Sequence, residues 1–111
     1  MEYSLDVQDN AMIVRVDGRV DESTWEEFSS GLSDAVRQAV QSGLPQVVID
    51  LSELEYMSSR GLRVLTVAKR ESDQAGISIA LASPNEVMRE ILAISRYDKL
   101  FTITDTIELK Q

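Results

Sequence analysis

The sequence predicts one α/β domain built on a parallel or mixed sheet with crossover helices, and three observations carry that prediction. Segments with a two-residue apolar period alternate along the chain with segments whose period is three to four residues. The run Val47-Val48-Ile49, followed by Leu51, is continuously apolar, as a central strand covered on both sides should be. No linker, internal repeat or low-complexity tract divides residues 1–111. A chain of that length buries roughly two-thirds of the surface its unfolded form exposes, so one core suffices.

Each element follows from its local pattern. Tyr3-Leu5-Val7 alternates, the polar Gln8-Asp9-Asn10 interrupts, and Met12 to Val16 alternates again, predicting two strands around a short turn that end by Asp21. From Trp25 onward Phe28, Leu32, Ala35, Val36, Ala39 and Val40 form one helical stripe. Ser23 and Glu26 have capping-box spacing at its start, and Gly43 with Pro45 stops it. After the Val47 strand, a second helix is predicted over 59–75, with Leu62, Leu65 and Ala68 on one stripe, Val64 and Val67 widening it, and Gly76 closing it. Ile77, Ile79 and Leu81 read as a strand. Ser83-Pro84-Asn85-Glu86 then reads as N-cap, N1 proline and N3 glutamate of a third helix. Phe101-Thr102-Ile103 reads as a last strand, and Asp105 with Glu108 has the spacing of a cap for one more short helix.

Composition excludes several functions. The chain has neither cysteine nor histidine, which removes disulfides, thiolate nucleophiles and the ordinary zinc ligand sets together. Nineteen acidic against eleven basic residues give a net charge of -8, which repels phosphate backbones and anionic lipid, so direct nucleic-acid binding is not expected. No apolar run exceeds four residues, where about 20 are needed to span a bilayer, so no membrane insertion is expected. The start MEYSLDVQDN lacks a signal-peptide layout. A cytoplasmic location is the expectation.

The chemistry the residues permit is equally narrow. A serine nucleophile needs a base, and with no histidine and no G-x-S-x-G elbow only a buried lysine such as Lys69 or Lys99 remains. The glycines are scattered, so neither the dinucleotide nor the P-loop spacing occurs. Asp50, Glu53 and Glu55 fit a hard cation or an acid/base pair, or simply a solvated loop. Ser58 and Ser59 lie where a central strand hands over to a helix, the edge at which α/β sheets usually carry their sites. Serine is also among the best N-cap residues, so a cap alone explains the pair as well.

One charge pattern stands out beside them. Residues 60–70 hold Arg60, Arg63, Lys69 and Arg70 and no acid, and the two arginines occupy a first helical turn, where the macrodipole disfavours cations by a few tenths of a kcal/mol. Asp21 or Asp50 could compensate them, and so could a phosphate on serine, which adds about -1.5 to -2 charges beside free N–H groups.

The run Val47-Val48-Ile49-Asp50-Leu51-Ser52 with Tyr56-Met57-Ser58-Ser59-Arg60-Gly61-Leu62 resembles the signature of STAS domains, the family of anti-sigma factor antagonists and sulfate-transporter tails. Gly18-Arg19-Val20-Asp21 resembles that family's Gly-x-Leu-Asp. Ala82-Ser83-Pro84 and Tyr97-Asp98-Lys99-Leu100-Phe101 resemble its C-terminal part. The likeness implies a single STAS-type domain over 1–111, with a four- to five-stranded mixed sheet flanked by helices and no catalytic role. It implies a partner switch: a serine kinase of the GHKL type, often itself the anti-sigma factor, phosphorylates the helix start, and a PP2C-type phosphatase reverses it. The unphosphorylated form binds the partner. Aligned on Gly61-Leu62, the acceptor is Ser59, with Ser58 as a second acceptor candidate and Asp21, Ser58, Arg60, Gly61 and Arg63 as partner contacts.

Three positions depart from the family pattern. Ser58 stands where aspartate is usual and Arg60 where a second hydroxyl is, and Arg96 stands where a glycine commonly ends the third helix. Two other readings compete with the switch: a constitutive accessory subunit docking on the ATPase of a lipid-transport ABC complex, and a small hydrolase using a lysine or carboxylate beside Ser59.

Overall fold

A computed structural model describes residues 1–107. The elements run β1 (Glu2–Gln8), β2 (Ala11–Val20), α1 (Trp25–Gln41), β3 (Gln46–Met57), α2 (Ser59–Gln74), β4 (Ser78–Ala82), α3 (Glu86–Ile94), a 3-10 turn (Tyr97–Lys99) and β5 (Thr102–Thr104). They form a five-stranded sheet in the order β1-β2-β3-β4-β5, with β1 antiparallel to β2 and the remaining pairs parallel.

Because each parallel strand is added on the same side of its predecessor, right-handed crossovers carry α1, α2 and α3 to one face of the sheet. The core follows. Met12, Val14 and Val16 of β2, Val47, Ile49 and Leu51 of β3, and Ile79 and Leu81 of β4 share one cluster with Phe28, Leu32, Leu65, Met88 and Leu92 from the three helices. Burying side chains of this size contributes about 1.5–3 kcal/mol each. The opposite face carries only a small cluster, Ala11, Ile13, Val48 and Ala82, against which Ile107 packs. Arg15 and Asp50 meet beside each other on the facing strands β2 and β3, joined at 2.9 Å. That accounts for the continuous apolar run in β3. Val47 and Ile49 face the helices, and Val48 faces the smaller cluster.

Three local predictions are corrected. The capping box at α1 does not form, because the Asp21 carboxylate takes both the amide (2.9 Å) and the hydroxyl (2.8 Å) of Ser23. Thr24 becomes the N-cap residue, and its hydroxyl donates to the Arg19 carbonyl at 2.8 Å instead of capping. At α3 the cap is Asn85 rather than Ser83: its oxygen accepts from Met88 N at 2.8 Å while its amide donates to the Leu54 carbonyl of β3 at 3.0 Å. Asn85 has the extended backbone of a cap residue (φ -75°, ψ 178°), whereas Ser83 sits in a left-handed turn (φ 58°). Finally, β5 is displaced by one residue to Thr102–Thr104. The helical segment expected from Asp105 and Glu108 falls on residues outside those described.

Glycine-like geometry appears where the sequence has none. Arg96 ends α3 with φ 64°. A left-handed residue is what a helix C-terminus commonly requires, and it explains why the resemblance places a glycine there.

Candidate functional site

Parallel pairing of β2 with β3 brings their C-terminal ends together, Val20 opposite Met57. The amide of Ser58 then donates to the Val20 carbonyl at 2.8 Å, fixing the start of α2 beside the turn that leaves β2. A site forms where two chain segments about 35 residues apart in sequence meet at one sheet edge, the usual position in open α/β sheets.

At that edge the two serines separate. Ser58 is the N-cap, with extended backbone (φ -77°, ψ 172°), and its hydroxyl accepts from Gly61 N at 3.4 Å. Ser59 is the first helical residue and is exposed, and no side chain hydrogen-bonds to its hydroxyl among the described residues. The cap therefore consumes one serine and leaves the other pointing at solvent beside the free N–H groups of a helix start.

Gly61 is required by packing. A Cβ there would lie 2.4 Å from Met57 Cγ and 2.8 Å from Val20 Cγ1, both on side chains at the buried end of the β2–β3 pair. Only a glycine lets α2 begin this close to the sheet.

Arg60 has partners that sequence spacing did not indicate. Arg60 neither reaches Asp21 nor Asp50. Its Nε lies 3.3 Å from Glu22 Oε2, and its guanidinium sits 4.9 Å from the centroid of the Trp25 ring. At such an exposed site the stacking contributes about 0.5–1 kcal/mol and the ion pair no more than about 1 kcal/mol. Arg63 lines the same hollow without an ion pair among the described residues. Asp21 sits in the turn before α1, its carboxyl held below the usual range by the hydroxyl and then the amide of Ser23. Asp50 lies on the far face of the sheet with Arg15 and Ser52 N, away from the serines.

Glu22 and Trp25 are the site residues that sequence reasoning missed. Trp25 carried a signal only as part of a helical stripe; it packs against the rim of the core and also presents its ring to Arg60 of α2.

Glu22, Ser59, Arg60 and Arg63 line one open hollow at the helix start. Lys69 pairs with Asp73 at 3.0 Å, and ten residues of helix place it about 15 Å along the axis from Ser59. No group of three or more acidic residues among those described is arranged to hold a metal ion. What the site offers is an exposed hydroxyl, two neighbouring guanidinium groups and a tryptophan face.

Comparison with known proteins bears on the family and the fold. The family model for the STAS domain matches residues 2–109. BtrV of Bordetella bronchiseptica, a protein assigned as an anti-sigma factor antagonist, is 28% identical over 108 residues, covering 97% of this chain and 90% of its own. Among solved structures, an anti-sigma factor antagonist assigned in Thermotoga maritima superposes with a TM-score of 0.82 at 23% identity, over 95% of this chain and 87% of that one. SpoIIAA of Bacillus, solved in its phosphorylated form, superposes with a TM-score of 0.65 at 19% identity, over 92% and 90% of the two chains. At these identities the structural likeness establishes the fold.

Proposed function

Because the chain belongs to the STAS domain family, we propose that it is a partner-switching regulator of the anti-sigma factor antagonist kind, acting in the cytoplasm and switched by phosphorylation of Ser59. The observation that carries this reading is the division of labour at the start of α2. Ser58 is occupied as the cap, while the Ser59 hydroxyl is exposed and unbonded beside Arg60 and Arg63. Two relatives support it: BtrV is assigned as an anti-sigma factor antagonist, and SpoIIAA exists in a phosphorylated form.

In this account the unmodified helix start offers a small, uncharged hydroxyl between Glu22, Arg60 and Arg63, and this surface packs against a kinase-like partner of the GHKL type. Phosphate transfer to Ser59 converts the hydroxyl into a group of about -1.5 to -2 charges with strongly hydrated oxygens. Burying that group against an apolar or acidic partner surface costs several kcal/mol, and about 4 kcal/mol already weakens binding roughly a thousandfold. Release needs no refolding, since the fold around Ser58 and Gly61 is untouched. A PP2C-type phosphatase resets the surface. Transcription is the regulated output when the partner is an anti-sigma factor.

Incubation with the cognate serine kinase and ATP, followed by fragment mass spectrometry, tests the assignment. The expected result is one phosphate, on Ser59, retained in Ser58→Ala and absent in Ser59→Ala. Incorporation into Ser59→Ala, or none into the parent chain, contradicts it.

A further inference from the structure

The surface leading away from Ser59 combines apolar and cationic character in a chain whose net charge is -8. Between α1 and α2 runs a groove of about 250 Å³, with Trp25 and Ser29 on one wall and Arg60, Arg63, Val64 and Val67 on the other. A polar hollow lined by Glu22, Ser59, Arg60 and Arg63 continues it to the helix start. At 3.6 residues per turn, Arg60, Arg63, Val67 and Arg70 fall within a sector of about 80° on α2. They form one stripe along the helix, ending where Glu71 begins the acidic last turns.

Nothing in the fold explains this stripe. Val67 is 42% exposed and is bracketed by Arg63 one turn before and Arg70 one turn after. Among the described residues neither arginine makes an ion pair, whereas Lys69 is held by Asp73 and Arg60 by Glu22. Arg60 and Arg63 are like charges one turn apart on that stripe, an arrangement that slightly disfavours the helix.

We propose that the α1–α2 groove is a docking surface for an acidic amphipathic helix of a partner protein, its apolar side chains seated on Trp25, Val64 and Val67 and its carboxylates on Arg63 and Arg70. Charge complementarity selects this occupant. An anionic membrane would meet the same arginines but would be repelled by the rest of the chain, and a second copy carries the same net negative charge. A helix fits because the groove runs between two helices and combines an apolar floor with a cationic edge, the surface on which an amphipathic helix lays its apolar face. The proposal deepens the partner-binding reading of the helix start and rests on it.

Selection of a phage-displayed library of 16-residue peptides on the unmodified, full-length protein tests it. The Arg63→Glu/Arg70→Glu double variant serves as counter-target, and Val67→Lys as a second one in case the first fails to fold. Enriched sequences should interleave Asp or Glu with apolar residues at helical spacing. A synthetic copy should shift the resonances of Trp25, Val64 and Val67 and bind the variants at least tenfold more weakly. No enrichment, enriched peptides without acids, shifts elsewhere, or equal affinity for the variants overturns the proposal. So does binding of phosphatidylserine vesicles, or self-association of the chain, that the variants abolish. No kinase is present, so a failure of phosphate transfer to Ser59 is read separately.

Discussion

Replacing Ser58 and Ser59 one at a time separates the cap from the modified hydroxyl. A serine N-cap changed to alanine costs about 0.5–2 kcal/mol. The Ser58 hydroxyl lies 3.4 Å from Gly61 N, a long hydrogen bond, which places Ser58→Ala near the lower end, about 0.5–1 kcal/mol. Ser59 already has helical geometry, and its exposed hydroxyl holds nothing. Alanine is the better helix former there by up to about 0.5 kcal/mol, so Ser59→Ala should be neutral or slightly stabilising. Urea unfolding followed by far-ultraviolet circular dichroism and by the fluorescence of Trp25, the sole tryptophan, measures both. The slope against urea should stay constant while the midpoint falls for Ser58→Ala alone. Equal losses in the two variants, or the larger loss at Ser59, would refute the division of roles.

Further perturbations probe the scaffold beneath the site. Gly61→Ala drives a Cβ to 2.4 Å from Met57 Cγ and should destabilise by about 1–3 kcal/mol through overpacking; an unchanged melting temperature would contradict the close approach of α2 to the sheet. Asp50, whose side chain is 5% exposed, has its carboxyl lowered although burial alone would raise it, because Ser52 and the Arg15 guanidinium together outweigh desolvation. Since the folded value lies below the ordinary 3.8, its contribution is present above that pH and lost as pH falls through the folded value. Asp50→Asn should therefore be less stable at neutral pH and show a flatter acid limb, and parallel acid-unfolding curves for the two proteins would count against it. Arg96→Gly relieves a left-handed arginine and should raise stability by up to about 1 kcal/mol; a loss of stability by thermal unfolding would argue that the Arg96 side chain itself is needed.

What was legible in the sequence was local. Helices α1 and α2, the Val47 strand and a serine cap at the Ser58-Ser59 pair follow from residues within one or two turns of each other, where periodicity and capping chemistry act. Features that depend on tertiary placement were not. Glu22 and Trp25 reach Arg60 only because parallel pairing of β2 with β3 sets the turn after Val20 against the start of α2. Spacing made Asp21 and Asp50 the natural countercharges, yet one is spent on Ser23 and the other faces the opposite side of the sheet. The failed capping box has a local origin instead, an acceptor two residues upstream that competes with the helix for Ser23. Arg96 kept its place without glycine because the αL conformation there is a matter of cost and not of possibility.

The central claim is that charge at Ser59 ejects the partner, and the affinity of the cognate kinase-like protein for the two forms of the chain tests it most directly. Titration calorimetry should give tight binding to the unmodified protein and affinity lower by roughly a thousandfold for protein phosphorylated on Ser59, with Ser59→Ala binding as the parent does. Equal affinity for the phosphorylated and unmodified chains would contradict the account.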